Sequence, residues 1–152
     1  CCLGTTIKKA GSRKKFKEVD YEFPLKMAEL SQKKGVKNFS MITSMGADAS
    51  SLVFYNKVKG QIEEAVKKLN IPSVSVVRPS LLLGDRDEFR IGEKVAAFFM
   101  KMASPLMLGS AKKYRPIEAQ TVASALLSLA EKNQNGFQIY ESDELQKLGA
   151  EQ

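Results

Sequence analysis

Two rhythms of apolar residues divide this chain. Ser73 to Arg78, SVSVVR, is a nearly continuous β-branched run, the mark of a strand covered on both faces. Asn38 to Thr43, NFSMIT, is a second short apolar run, introduced by Gly35 and a lysine cluster, and it also reads as a strand. Between them the period changes. Val58, Ile62, Ala65, Val66 and Leu69 recur at helical spacing until Ile71-Pro72 breaks the pattern. Upstream, Asp20 to Lys34 reads as a helix with Phe23, Met27 and Leu30 on its inner face. Pro24 is expected in the first turn of that helix and Gly35 at its end. The opening piece, CCLGTT, predicts a buried strand end at Cys1 to Thr6 that turns away at Gly4-Thr5-Thr6.

Further on, Val95, Phe98, Phe99 and Met102 are spaced i, i+3, i+4, i+7 and predict an amphipathic helix from Lys94 to Ala103. Tyr114-Arg115-Pro116-Ile117 leads into a long helix to about Lys132, with Pro116 suited to its first turn. Gly136 to Tyr140 reads as a final short strand, and Asp143 to Gly149 as a last turn of helix. Strand-helix alternation of this kind predicts an α/β fold, the second half of a doubly wound parallel sheet with helices on both faces. Such sheets bind ligands beyond the carboxyl ends of their strands, which is where Gly4-Thr5-Thr6 falls.

Composition narrows the class. At 152 residues the chain is one domain, able to bury about two-thirds of its unfolded surface. Hydrophobic content of 43% and charged content of 27% are ordinary for a globular protein. No apolar run approaches the roughly 18 residues of a membrane span, so no membrane partner is expected. The two adjacent cysteines make no disulfide framework, and a reducing, cytoplasmic setting is the expectation. The absence of histidine removes Ser-His-Asp and Cys-His nucleophile schemes and nearly all zinc sites, so no metal is expected.

The net charge of +7 points toward anionic partners. Six basic residues fall within Lys8 to Lys17, which reads as a solvated loop or as a face for a cofactor phosphate, an acidic substrate or nucleic acid. Only Phe16 interrupts that run, with no interleaved aromatics to stack bases, so nucleic acid is not the expected partner. Asp85 to Glu93 is a mixed-charge loop whose Arg86 and Arg90 suit either an acidic substrate or surface ion pairs.

The chemistry concentrates between Thr43 and Lys59. Tyr55 and Lys59 are four residues apart on one helix face, so a phenol and an ammonium can meet at one point. A free phenol titrates near about 10, and a cation within roughly 4–6 Å favours its charged form, which acid-base work on a carbonyl or an alcohol requires. Ser44 can add a hydroxyl to the reacting oxygen; Thr43 is the rival, since strand neighbours point to opposite faces. Gly46 to Ser51 is a small-residue loop in which Ser50 or Ser51 suits a helix cap.

Strand, Ser44, loop, Tyr55-x-x-x-Lys59 helix, strand and Arg78-Pro79, in that order, resemble the short-chain dehydrogenase/reductase superfamily. The resemblance is closest to the Tat-interacting-protein-like branch of its atypical, NADPH-binding Rossmann members. It is carried by Cys1-Cys2-Leu3-Gly4-Thr5-Thr6, Ser44, Gly46-Ala47-Asp48, Tyr55, Lys59-Gly60, Arg78-Pro79, Asp85-Arg86 and Gly92-Glu93, dense to about Phe99 and thin afterwards. It implies Ser44, Tyr55 and Lys59 as the catalytic group, with Lys59 also bonding the nicotinamide ribose. It implies Gly4, Thr5, Tyr55, Lys59, Arg78, Pro79, Ser80, Leu81 and Leu82 as cofactor neighbours. For Gly4-Thr5 the plain reading is a tight turn, and for Pro79 to Leu82 a hydrophobic exit loop.

In that family CCLGTT is the fourth strand, and the glycine fingerprint for phosphate lies on the first strand-helix turn. Nothing like that fingerprint occurs here, so residues 1–152 are expected to be the C-terminal part of a Rossmann domain, with roughly 60 residues or more before them. The activity implied is an NAD(P)H-dependent oxidoreductase reducing an unknown small-molecule carbonyl, with NADPH the cofactor by resemblance and NAD the other nicotinamide open to it. The alternative is an NADPH-binding scaffold that works through a protein partner without turnover.

Overall fold

β2 (Ser73–Arg78) is the middle strand of a three-stranded parallel sheet, flanked by β1 (Asn38–Ile42) and β5 (Gly136–Glu141). The computed structural model describes residues 1–83, 109–132 and 134–150, so the expectations for Asp85 to Glu93 and for Lys94 to Ala103 lie outside the described residues. Register is set by alternation. Phe39 pairs with Val74 and Met41 with Val76, and Val74 in turn faces Phe137. A one-residue slip would turn each of these apolar side chains to the opposite face.

The opening piece pairs less than expected. The Cys1 backbone nitrogen donates to Ser40 O at 2.7 Å, and Cys1 O accepts from Ile42 N at 3.1 Å, which is one parallel bridge beside β1. The expected strand from Cys1 to Thr6 is therefore a single paired residue. Thr6 instead caps a helical turn, α1 (Ile7–Ala10), its hydroxyl accepting from Lys9 N at 3.1 Å.

Lys8 to Lys17 is not a loop. Ser12 caps α2 (Arg13–Lys17), accepting from Lys15 N at 3.2 Å, and Phe16 within the basic run is fully buried. α2 runs without a break through a π-helical turn, Glu18–Glu22, into α3 (Phe23–Lys33). Pro24 stands in the first turn of α3, as expected, but that turn follows directly on α2 and the π turn, so the proline lies inside a longer helical run. A proline there lacks an N–H and crowds the carbonyl four residues back, and a π turn opens the ladder at that point. The face that packs is Phe16, Asp20, Pro24 and Ala28, each four residues apart. The expected inner face is corrected: Phe23, Met27 and Leu30 are 46%, 41% and 49% exposed.

Two apolar cores sandwich the sheet. Phe39, Met41, Val74 and Val76 meet Ala28 of α3 and Ile62 and Val66 of α4 (Phe54–Lys67) on one side. On the other, Val77 meets Val122, Ala125 and Leu129 of α5 (Ala119–Glu131) and Leu145 of α6 (Ser142–Ala150). Helices cover both faces of a parallel sheet, as the unbroken apolar run of β2 requires. α5 starts later than expected, because Ile117 N donates to Leu81 O at 3.0 Å and Pro116 precedes a short strand. β3 (Leu82–Leu83) and β4 (Ile117–Glu118) form that small parallel pair. With all sheet strands parallel, Cys1, β1 and β2 deliver Gly4, Ser44 and Pro79 to one edge.

Candidate active site

β1 ends by sorting two hydroxyls. Thr43 is buried and its Oγ1 donates to Glu63 Oε1 at 2.6 Å. Its neighbour Ser44 has a buried Oγ with no hydrogen-bond partner among the described residues. Glu63 is consumed by the same network, accepting from Arg78 Nε at 3.1 Å and pairing with Arg78 Nη2. Arg78 Nη1 also lies 3.6 Å from Glu141 Oε1. The bonds from Glu63 hold the Arg78 guanidinium above its already high ordinary range, against the opposing effect of burial.

The loop after Ser44 is folded onto α4 by its own turns. Ala47 N donates to Ser44 O at 3.1 Å and Asp48 N to Asn56 O at 3.1 Å. Asp48 Oδ1 accepts from the Ser50 hydroxyl at 2.7 Å and the Ser50 amide at 2.8 Å, which together hold its carboxyl below the usual range. The loop touches α4 at Gly60, where a Cβ would stand 2.1 Å from Ala49 N and 2.2 Å from the Asp48 carbonyl carbon. Neither serine caps α4 in the expected way. Its N-cap is Val53 without a side-chain bond, and Ser51 Oγ accepts from Val53 N one turn earlier, at 3.1 Å.

Tyr55 is half-buried at the start of α4, its ring 5.7 Å from that of Phe16. Lys59 sits one turn on, 5% exposed, with Nζ 5.9 Å from the Tyr55 ring centroid. Helical spacing has therefore brought phenol and ammonium together, with the cation toward the ring face.

The residue that sequence reasoning missed is Asp20. It is 1% exposed, its Oδ1 lies 2.8 Å from Lys59 Nζ as an ion pair off hydrogen-bond alignment, and its Oδ2 accepts from Thr5 N at 2.9 Å. The signal was present as a carboxylate at the second position of the i, i+4 stripe Phe16, Asp20, Pro24, Ala28. Assigning the inner face to Phe23, Met27 and Leu30 concealed it.

The remaining expected cofactor neighbours divide. Gly4 and Thr5 join the cluster through Asp20 and Lys59. The side chain of Arg78 is committed to Glu63 and Glu141. Ser80 donates its hydroxyl to Arg115 O, and its N–H donates to Ser142 Oγ at 2.7 Å, so its polar groups serve packing. Pro79 O accepts from Met45 N at 3.1 Å, tying the β2 exit to the Ser44 loop. Leu81 and Leu82 are half-buried and pair with β4. Among the described residues no group of His, Cys, Asp and Glu is arranged to hold a metal, and no helix is long and apolar enough to cross a membrane.

No family model matches the chain. Rat protein HTATIP2 is 48% identical over 99 residues, which is 65% of this chain and 40% of that protein. Mitochondrial protein FMP52 of Candida albicans is 35% identical over 135 residues, 88% of this chain and 58% of the relative, and the Emericella nidulans protein is 37% identical over 131 residues, 84% and 56%. The chain thus spans about half the length of the curated relatives it matches. Among solved structures, human epimerase family protein SDR39U1, crystallised with NADPH, aligns over 91% of this chain and 54% of its own, with TM-score 0.57 and 18% identity. UDP-glucose 4-epimerase of Thermotoga maritima, solved with UDP-glucose, aligns over 95% and 56%, with TM-score 0.57 and 19% identity. At these identities the two structures establish a Rossmann-like α/β fold, as expected from strand-helix alternation.

Proposed function

Because the chain is a relative of HTATIP2 and FMP52 and carries the Rossmann-like fold of the atypical short-chain dehydrogenase/reductase superfamily, we propose that it is the C-terminal part of an NADPH-dependent oxidoreductase acting on a carbonyl. The observation that carries the reading is Ser44 Oγ, buried with no hydrogen-bond partner among the described residues just after β1, together with the Tyr55–Lys59 pair one turn apart on α4. A buried hydroxyl left unbonded costs stability unless a ligand supplies its partner.

The residues present fit a nicotinamide cofactor. Lys59 has three N–H donors and only one acceptor group, Asp20, among the described residues, which leaves donors for ribose hydroxyls. A Cβ at Gly4 would stand 3.6 Å from Lys59 Nζ, so the bare glycine leaves room beside the ammonium. Bound there, NADPH would supply hydride to the carbonyl carbon and leave as NADP+. Tyr55 gives its phenolic proton to the carbonyl oxygen, where the π-bond electrons collect, so that an alcohol forms. Ser44 donates a hydrogen bond to the same oxygen. Lys59 stabilises the phenolate left on Tyr55.

The test is NADPH consumption with a panel of aldehydes and ketones, run against Tyr55→Phe. Turnover lost in the variant is expected, and turnover that survives it removes Tyr55 from the chemistry. Titration with NADPH and NADH side by side decides the cofactor.

A second reading is favoured by the exposed apolar stripe Phe23, Met27 and Leu30, a surface that suits a protein partner. Here the chain holds NADPH and acts through that partner without turnover. Tight NADPH binding with no oxidation by any carbonyl, together with a partner lost on Met27→Lys, would select it. The reading locates the protein in the cytoplasm, with mitochondria the competing location from the FMP52 names. Imaging of the tagged whole protein separates the two.

A further inference from the structure

Most of the chain's excess positive charge stands on one short stretch to which the oxidoreductase reading gives no task. Residues 8–17 hold six basic side chains and no acidic one, against a net charge of +7 for all 152 residues. Resting on that reading, we propose that the carbonyl substrate is an anion, its carboxylate or phosphate seated on this basic face beside Tyr55 while its carbonyl reaches the phenol.

The fold fixes the stretch against both members of the Tyr55–Lys59 pair. It departs from Gly4, where a Cβ would stand 3.6 Å from Lys59 Nζ. It returns at Phe16, fully buried, whose ring lies 5.7 Å from those of Tyr55 and Phe54. Between these anchors Thr6 caps α1, Ser12 caps α2, and Gly11, at φ 72°, makes the bend between them. The cations are therefore carried on capped turns next to the phenol and not on a free loop.

Their side chains are open. Lys8, Arg13, Lys14, Lys15 and Lys17 are exposed, and none reaches a carboxylate at ion-pair distance among the described residues. Arg13 is the best placed. Its guanidinium carbon stands 5.0 Å from the ring centroid of Phe54, the residue before Tyr55. An arginine resting on an aromatic face keeps its edge donors for a carboxylate or phosphate, which its planar fork meets with two parallel bonds. Lys17 follows Arg13 by one turn and lies on the same side of α2. The one aromatic in the run, Phe16, is turned inward, so the face offers no ring on which a nucleic-acid base could stack.

The consequence is selection by charge. Like charges gathered beside a site raise the local concentration of an oppositely charged substrate and speed its arrival by about 10–10³-fold, an effect that salt screens. A neutral carbonyl gains nothing from it.

The experiment uses the whole protein, NADPH and two matched pairs of aldehydes: succinic semialdehyde against butyraldehyde, and phosphoglycolaldehyde against glycolaldehyde. In at least one pair the anion is expected to show a kcat/KM about tenfold or more above its neutral counterpart at low salt, and the pair that does so tells carboxylate from phosphate. High salt is expected to erase most of that preference. Arg13→Gln is expected to lower it about fivefold to tenfold, and Arg13→Lys to keep part of it. A second readout needs no cofactor. In ¹⁵N-arginine spectra, inorganic phosphate is expected to move the Arg13 Nε signal, identified by its loss in Arg13→Gln, ahead of those of the other arginines.

Equal kcat/KM within both pairs overturns the proposal, and this is read on the parent alone. A preference unchanged by both salt and Arg13→Gln overturns it as well. Tight, steeply salt-dependent binding of duplex DNA with no preference within either pair makes the face a nucleic-acid surface and overturns it too. A protein that oxidises NADPH with no aldehyde overturns the oxidoreductase reading instead. The anion face is then judged on the phosphate titration: an early Arg13 shift keeps it, and an Arg13 signal that moves no sooner than the other arginines removes it.

Discussion

Thr43 Oγ1 donates to Glu63 Oε1 at 2.6 Å, with both residues buried, and this bond settles which strand-end hydroxyl stays unbound. Successive side chains on a strand point to opposite faces, so Thr43 turned to α4 leaves Ser44 turned away. Thr43→Val is expected to cost about 1.5–3 kcal/mol, since it removes a hydrogen bond to a charged, buried acceptor. Urea unfolding measures it. A variant as stable as the parent would mean that the bond contributes nothing.

Arg78 is the only cation that Glu63 meets among the described residues. Arg78→Met strands a carboxylate whose side chain is 4% exposed. The expected loss is about 3 kcal/mol, at the low end for a broken buried pair because the Arg78 side chain keeps 18% exposure. Adding Glu63→Gln to that variant is expected to restore part of the loss. Equal stability of the single and double variants would contradict an ion-pair role.

Gly60→Ala tests the seat of the loop. Alanine ordinarily stabilises a helix interior by about 1 kcal/mol over glycine. Here its methyl would overlap Ala49 N and the Asp48 carbonyl carbon, so a net loss of about 1–3 kcal/mol is expected, with shifts of the Ala47 to Ser51 amides. A raised thermal midpoint would show that the loop moves away at no cost.

Asp48 supplies a pH dependence. Its carboxyl is held below the usual value of about 3.9, chiefly by the Ser50 hydroxyl and then by the Ser50 amide. A depressed folded-state value means that the stabilisation is fully present above the unfolded value and is lost as pH falls through the folded one. Thermal midpoints of the parent and Asp48→Asn should therefore differ at neutral pH and converge below about pH 3.9. A constant gap across that window would dismiss the carboxylate as its source.

For the proposed chemistry, Tyr55→Phe is expected to lower kcat by about 10²–10⁴-fold, the usual worth of a positioned acid-base group. NADPH affinity should stay within about twofold, since the ring remains on Phe16. A large loss of affinity with unchanged kcat would make Tyr55 a binding residue only.

The sequence by itself determined the elements that rest on local periodicity. β1, α4, β2 and β5 could be read from it, because β-branched runs and a 3.6-residue period are properties of neighbouring residues. It also determined that Tyr55 and Lys59 share a face, since four residues make about one helical turn. Tertiary structure decided what depends on distant partners. The inner face of the helical run from Arg13 to Lys33 is set by the π turn and by close packing of Pro24 and Ala28. These bury Asp20 and leave Phe23, Met27 and Leu30 outside. The resemblance implies Arg78 and Ser80 as cofactor neighbours, and no local pattern foretells the contacts that they make with Glu63, Glu141, Arg115 and Ser142, 15 or more positions away along the chain. The pairing of Asp20 with Lys59 spans 39 positions of sequence, and no local pattern encodes it: a buried charge finds its partner only once two helices and a turn have been brought together.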